Sequence, residues 1–128
     1  MKKNLPVYNE EVTFDEELIS TTDLKGSITS FNEAFQRVSG FESNELLHKN
    51  HNVIRHPDMP PAAFADMWGT LKSGNHWMGM VKNRTKKGAF YWVDAYVTPI
   101  FENDSVVGYE SVRAKPDAKT VQRAQKVY

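Results

Sequence analysis

The sequence predicts an α+β domain in which short helices cover one face of a five-stranded antiparallel sheet. Two β-prone segments, 18–22 and 27–31, come first, short helical segments follow, and three strand-like segments lie at 76–84, 89–100 and 106–113. Strands and helices do not alternate, which excludes a parallel βαβ sheet. With 128 residues, the chain has the usual size of a single domain.

The composition is that of a globular chain without a strong net charge or a reactive thiol. Of the residues, 40% are hydrophobic and 12% aromatic, and 16 basic residues balance 16 acidic ones. This balance gives no overall field for nucleic acid or an anionic membrane surface. Cysteine is absent, which excludes disulfides, thiolate metal sites and cysteine nucleophiles. Because no apolar segment resembles a membrane span or a signal peptide, we expect a soluble, cytoplasmic domain.

The first half of the chain predicts a hairpin followed by two short helices. The segment 23–26 has turn-forming residues and separates the first two strands. Asn32 is placed to cap a helix, and Gly40 is placed to end it. A second small helix is predicted over 42–48. Residues 1–17 show no period and form an arm that either packs on the domain or stays loose.

Two further helices are predicted from apolar spacing. Prolines interrupt the chain after residue 56, and a longer helix begins near Pro61. Its apolar residues recur at i, i+3, i+4 and i+7, as on one helical face: Phe64, Met67, Trp68 and Leu71. Near the C-terminus Asp117 is placed to cap a last helix with a face formed by Val121, Ala124, Gln125 and Tyr128.

The strand at 76–84 places an amide on the inner face of the sheet. With a period of two, one face carries Trp77, Gly79, Val81 and Asn83, and the outer face carries His76, Met78, Met80, Lys82 and Arg84. An unpaired amide beside apolar neighbours costs about 1 to 3 kcal/mol. Asn83 therefore needs a partner, which is either a backbone or water group or the amide edge of a ligand. Gly79 either leaves room for a flat ligand group or marks a bulge.

The polar segment 51–60 supports a structural and a functional interpretation. In the structural one, Asp58 caps the following helix, Arg55 pairs with Asp58, and His51 and His56 satisfy loop carbonyls. A metal site is weakly supported, because the histidines lack a defined helical spacing. Phosphate-binding glycine motifs and hydrolase motifs are absent. We therefore expect a binding domain and no enzyme.

Several segments together resemble the PAS domains of bacterial aerotaxis (Aer) receptors. The most specific is Val-Ile-Arg-His-Pro-Asp-Met-Pro at 53–60, a marker of chemoreceptor PAS domains. The other similar segments are 38–41, 62–68, 81–84, 91–93 and 108–113. The resemblance covers about residues 18–115 and implies the PAS fold.

The resemblance also implies a non-covalently bound FAD and a set of contact residues. The family positions correspond here to Asn32, His51, Arg55, Trp68, Asn83 and Tyr91, with Phe64 and His56 as weaker candidates. Under this hypothesis Trp68 and Tyr91 are aromatic walls for the flavin ring, and Asn83 meets its pyrimidine edge. Arg55 or His51 lies near the ring or the diphosphate and favours negative charge.

The implied function is redox and oxygen sensing in energy taxis. In the family, the PAS domain passes the flavin redox state to a HAMP and chemotaxis signalling region, usually with a second receptor subunit, at the cytoplasmic face of the inner membrane. Residues 1–17 would then be the N-terminal arm, 18–115 the PAS sensor and 116–128 the start of a connector. Two alternatives stay open: a cofactor-free or metabolite-binding PAS module for interaction or dimerisation, and a haem sensor with His51, His56 or His76 as ligand.

Overall fold

The structure of the chain is a computed structural model that describes residues 10–127. The strands are β1 (Leu18–Thr22), β2 (Ile28–Phe31), β3 (Trp77–Arg84), β4 (Phe90–Glu102) and β5 (Ser105–Ala114). The helices are α1 (Glu33–Ser39), α2 (Ser43–Leu46), α3 (Pro61–Lys72) and α4 (Ala118–Val127), with a 3-10 helix at His51–Ile54. The strands form one antiparallel sheet in the order β2-β1-β5-β4-β3. The predicted α+β fold with a five-stranded antiparallel sheet is confirmed.

The last strand, β5, lies at the centre of the sheet and joins the N-terminal hairpin to the C-terminal strands. Its Ser111 pairs with Ser20 on one side and with Val97 on the other. Arg113 pairs in the same way with Leu18 and Ala95. Because side chains alternate along a strand, these paired residues project from the same face of the sheet. That face, called the inner face below, is the one that α3 and the 3-10 helix cover.

Helix α1 begins and ends as the sequence predicts. The side-chain oxygen of Asn32 accepts a hydrogen bond from the Phe35 N–H at 2.9 Å, and Gly40 ends the helix with a φ of 77°. Only glycine adopts this left-handed conformation without strain. The cap fixes the direction in which the chain leaves β2.

Helix α3 stands apart from the sheet. Among its apolar residues only Leu71 is buried, whereas Phe64, Met67 and Trp68 are half-buried. An amphipathic helix normally buries its apolar face against the core. Here a cavity separates much of that face from the inner face of the sheet.

The arm and the last helix pack on the remaining parts of the sheet. Within the arm, Val12 and Glu10 exchange backbone hydrogen bonds with Phe90 of β4, both 2.8 Å long. Asp117 caps α4 by accepting from the Thr120 N–H at 2.7 Å. Residues 1–9 and Tyr128 lie outside the described residues, so the predictions for them stay predictions. Within residues 10–127, no helix is long and apolar enough to cross a membrane.

One residue of β3 departs from the expected exposure. Met80 projects from the outer face, yet only 9% of it is accessible. Helix α4 packs against β3, and its Ala124 is also buried. The period-two pattern of one strand could not indicate that a distant helix covers part of its outer face.

Candidate ligand cavity

A cavity of about 390 Å³ lies between the inner face of the sheet and the two helical segments opposite it. This volume is within the range of roughly 300 to 1,000 Å³ that is usual for small-molecule sites. The sheet contributes Ser20, Thr22, Trp77, Val81, Asn83, Ala95, Val97, Tyr109, Ser111 and Arg113. Helix α3 and the 3-10 helix region contribute the opposite wall, so the cavity is enclosed by elements from both ends of the chain.

Five of the eight candidate residues named from the sequence line this cavity: His51, Arg55, Phe64, Trp68 and Asn83. They come from the 3-10 helix, the residue that follows it, α3 and β3, so the fold joins segments that are well separated in sequence. Their proposed contacts with a cofactor stay predictions. What the geometry establishes is that all five can meet one ligand.

Asn32 lies elsewhere, because its amide is fully engaged in the backbone. Besides capping α1, its Oδ1 accepts from the Ile19 N–H at 3.2 Å, and its Nδ2 donates to the Glu17 carbonyl at 3.0 Å. These bonds tie α1 to β1. Asn32 is not among the lining residues, and the structure shows its amide in a structural role; its contact with a cofactor stays a prediction.

Tyr91 is also outside the cavity lining. Its ring is 1% exposed and packs edge-to-face against Phe14 of the arm, with centroids 5.9 Å apart. Burial raises the pKa of its hydroxyl to about 12. The aromatic ring that meets Trp68 in the cavity is Tyr109, edge-to-face at 5.4 Å; the role of Tyr91 as a wall for the flavin ring stays a prediction.

Asn83 projects inward as predicted and is 3% exposed. Within residues 10–127 its Nδ2 has no hydrogen-bond partner, and the same is true of the facing Tyr91 hydroxyl on β4. The Asn83 amide is near enough to lower the pKa of Tyr91 and so to oppose the effect of burial, although the two groups lie outside hydrogen-bond geometry. A buried amide without a partner is costly. Asn83 is therefore a candidate to bond a polar ligand edge.

Arg113 is the principal residue that the sequence reasoning missed. It is 2% exposed, lines the cavity, and donates to the Leu18 carbonyl at 3.3 Å and to the Ser20 hydroxyl at 3.1 Å. Within the described chain it has no ion pair with a carboxylate, and no acidic residue lines the cavity. Burial lowers its pKa to about 10, so it is still a cation at neutral pH. Period-two spacing from Tyr109 through Ser111 could have placed it on the inner face.

His51 completes the polar end of the cavity beside Arg113. Its Nε2 lies within hydrogen-bond distance of the Arg113 guanidinium and 3.5 Å from the Ser20 hydroxyl. Burial, and secondly the charge of Arg113, lower the pKa of His51 to about 3. The ring is neutral at physiological pH. Since a guanidinium can only donate, Nε2 is the acceptor and the ring proton is on Nδ1.

The structural interpretation of segment 51–60 is wrong in three details. Asp58 does not cap α3, because Pro60 holds the N-cap position and Asp58 pairs with Lys82 at 3.1 Å. Arg55 does not pair with Asp58 and instead lies over the Phe64 ring, 4.1 Å from its centroid. Among residues 10–127 the ring of His56 bonds no carbonyl; its Nδ1 accepts from the Asp58 N–H at 3.0 Å, and it does not line the cavity.

The space above Gly79 is taken by an indole ring. A Cβ atom on Gly79 would lie 2.4 Å from Cη2 of Trp77, so the ring lies flat on the sheet at this position. Strand β3 pairs regularly with β4, and neither a ligand group nor a bulge explains the glycine. The Trp77 Nε1 donates to Asp66 of α3 at 2.9 Å. Trp77 is therefore an aromatic wall that also ties the sheet to α3.

Comparison with known proteins agrees with this geometry. A family model described as PAS fold matches residues 28–113. The chain is 45% identical over 94% of its length to the aerotaxis receptor of Escherichia coli, and 34% identical over 64% of its length to the nitrogen fixation regulatory protein of Klebsiella pneumoniae. It spans only 24% and 17% of these two relatives.

Solved structures give the same fold. A light-oxygen-voltage domain described with a flavin analogue superposes with a TM-score of 0.77 at 19% identity, covering 87% of this chain and 85% of that one. At this identity the similarity concerns the fold alone. The family match and the 45% identical relative show that the chain belongs to the PAS family, as a sensory domain similar to that of the bacterial aerotaxis receptor.

Proposed function

We propose that this PAS domain binds FAD non-covalently and passes the redox state of the flavin to the signalling region of a chemotaxis receptor. The observation that carries the proposal is Arg113, a buried cation without a carboxylate partner, in a cavity walled by aromatic rings. A buried charge is stable only when paired. An anionic or strongly polar ligand supplies that pairing. The similarity to the aerotaxis receptor, together with the flavin analogue studied in the similar light-oxygen-voltage domain, favours a flavin.

The cavity fits the chemical character of a flavin ring. The isoalloxazine system is flat, with one polar edge of alternating donors and acceptors and one apolar edge. Trp68, Trp77 and Tyr109 offer aromatic surface, and the Asn83 amide offers an unpaired donor. Arg113 and neutral His51 form the polar end. We propose that these residues hold the ring, with Arg55 closer to the cavity mouth because it is more exposed than Arg113 and Asn83.

When bound, the flavin supplies reversible uptake of electrons. Arg113 favours the forms of the ligand that carry negative charge, because its cation has no other counterion in the cavity. His51 contributes no charge of its own but accepts from Arg113 and so orients it. The protein thus sets which charge state is stable in the cavity.

Arg113 also connects the cavity to the rest of the domain. Arg113 donates to the Leu18 carbonyl and the Ser20 hydroxyl, both on β1. A change of ligand charge changes how strongly the guanidinium holds these groups. Strand β1 directly follows the arm that pairs with β4. We propose that the redox state biases two arrangements of β1 and the arm.

The division of the chain follows from this proposal. Residues 18–115 form the sensor, the arm precedes it, and 116–128 begin a connector to a HAMP and signalling region. Because the chain spans 24% of the aerotaxis receptor, these partners, a second receptor subunit and a position at the cytoplasmic face of the inner membrane are parts of the proposal.

A second candidate is an anionic metabolite. Arg113, Ser20 and Ser111 lie together on the inner face and would suit a small carboxylate ligand as well as a flavin edge. A haem has less support. The Nε2 of His51 is engaged by Arg113, and His56 and His76 do not line the cavity.

The test is the FAD content of matched variants. Asn83→Ala and Trp68→Ala each remove a lining side chain, and the control Asn44→Ala removes an exposed amide in α2. We expect FAD occupancy, measured by absorption, to fall in the first two variants only, with circular dichroism unchanged in all three. Full flavin in both lining variants would place the ligand elsewhere. Wild-type protein that takes up a carboxylate but no FAD would establish the metabolite candidate.

A further inference from the structure

The charged residues of the cavity are all of one sign. Its lining contains Lys25, Arg55, Lys72 and Arg113 and no aspartate or glutamate. The whole chain has a net charge of zero, so positive charge is concentrated at this one site. Arg113 is buried, whereas Lys25 and Lys72 are exposed and therefore lie at the mouth of the cavity.

The backbone that carries Lys25 is held in place at the mouth. Lys25 lies in the β1–β2 turn, where Asp23 Oδ1 accepts from the N–H groups of Lys25 and Ser27 at 2.9 and 3.0 Å. The Gly26 carbonyl accepts from the His51 N–H at 2.9 Å, which ties this turn to the 3-10 helix. The same hydrogen bonds engage the carboxylate of Asp23, the acidic residue of the turn.

Lys72 lies one helical turn after Trp68 in α3. A Cβ atom on Gly26 would be 3.8 Å from the Trp68 ring, so the β1–β2 turn lies against α3 at Trp68. Lys72 follows Trp68 by four residues and therefore shares its helical face. Within residues 10–127, neither Lys25 nor Lys72 pairs with a carboxylate, and Asp66 of α3 accepts from the Trp77 indole.

We infer that Lys25 and Lys72 bind the phosphate of a phosphate-ester ligand whose ring lies inside the cavity. Two ammonium groups without a carboxylate partner, both at the mouth near the half-buried Trp68, match a phosphate group there. Asn50 and Asn52, which also line this part of the cavity, supply further amide donors. This inference rests on the proposed flavin function and assigns the part of the ligand outside the ring. A single phosphate and a diphosphate share the same chemistry here.

The experiment compares three flavins with the same ring: riboflavin has no phosphate, FMN has one, and FAD has a diphosphate that ends in adenosine. Affinities of riboflavin, FMN and FAD are measured for the wild-type chain, for Lys25→Gln/Lys72→Gln, and for the control Lys87→Gln/Lys119→Gln, in which two exposed lysines outside the cavity are replaced. Since exposed charge pairs contribute modestly, we expect the first double variant to weaken FMN and FAD binding about tenfold. Riboflavin binding should be unchanged, and the control should resemble wild type. The ratio of FAD to FMN weakening shows whether the second phosphate is also held.

The outcomes separate this inference from the proposed function. Equal weakening of all three flavins, or no weakening of any, would overturn the phosphate assignment while leaving flavin binding intact. If the wild type binds no flavin, the proposed function fails, and pyrophosphate then serves as the probe in a backbone amide NMR titration. Shifts at residues 24–27 and 71–74 that disappear in the double variant would support the phosphate site, and their absence would refute it.

Discussion

Replacing Arg113 by methionine removes the buried guanidinium but retains an unbranched side chain of similar reach. Burial lowers the pKa of Arg113 from 12.5 to about 10. Since one pKa unit corresponds to about 1.4 kcal/mol, holding the charge in the ligand-free domain costs about 3 kcal/mol. The variant is relieved of this cost. It also loses three hydrogen bonds, to Leu18, Ser20 and His51, and each loss destabilises it by about 1 kcal/mol. The Ser20 hydroxyl and the His51 Nε2 lie 3.5 Å apart, so in the variant they can bond each other and restore one hydrogen bond.

The ligand-free Arg113→Met domain should therefore be as stable as the wild type, or more stable by up to about 1 kcal/mol. The same variant should bind FAD about 10- to 100-fold more weakly, because a charged hydrogen-bond donor is lost. Urea unfolding measures the first effect and absorption titration the second. Arg123→Met, at an exposed position of α4, is the matched control and should change neither quantity. If Arg113→Met destabilises the ligand-free domain by 1 kcal/mol or more, Arg113 is a structural residue and its charge is not held at a cost for a ligand.

Further predictions concern the indole wall and the neutral histidine. Gly79→Ala forces the Trp77 ring off the sheet and should lower the free energy of unfolding in urea by about 1 to 3 kcal/mol. The control Gly69→Ala lies in α3, where a Cβ meets nothing, and should raise this free energy by about 0.5 to 1 kcal/mol. Similar values for both variants would show that the Trp77 ring moves freely. His51 has a folded pKa of about 3 against 6.5 unfolded, so the unfolded state binds more protons and stability is lost as pH falls from 6.5 towards 3. Compared with His51→Gln, the wild type should lose up to about 1.4 kcal/mol more per pH unit in that window; parallel pH profiles of the two proteins would contradict the buried, neutral ring.

The fold was predictable because each element carries a local signal. Alternation identified the strands, Asn32 and Gly40 marked both ends of α1, and Asp117 marked the start of α4. The packing of α4 on the outer face was not predictable, since it brings together residues more than 30 positions apart in the chain. Met80 is buried for that reason although its position in the alternation is an outer one.

The candidate site was predictable on one side only. The period of β3 placed Asn83 inward, and the helical spacing of α3 placed Phe64 and Trp68 together. Which residue would stand opposite them depends on the strand order, because β5 lies between β1 and β4. Arg113 was therefore not predicted as a site residue, although the alternation along its own strand places it on the inner face. A local pattern predicts which face of the sheet a residue lies on, but it does not predict which residues of other strands lie beside it.

Two residues that the sequence predicted for the site, Asn32 and Tyr91, do not line the cavity. Both match the family by residue type, but the amide of Asn32 is consumed by backbone groups and the ring of Tyr91 is covered by Phe14 of the arm. Residue type alone does not distinguish a side chain that faces a cavity from one that stabilises its wall. Both would affect a ligand through the fold.

If the cavity around Arg113 holds FAD, the purified protein carries this chromophore, and its identity can be measured. The domain is purified, its absorption spectrum is recorded, and the chromophore released by denaturation is identified by chromatography. We predict a yellow protein with a flavin band in the blue and FAD in the released fraction, and a weaker flavin band in Arg113→Met. A colourless protein that takes up no added FAD, or a red one with an intense Soret band of haem, would show that the cavity does not hold FAD.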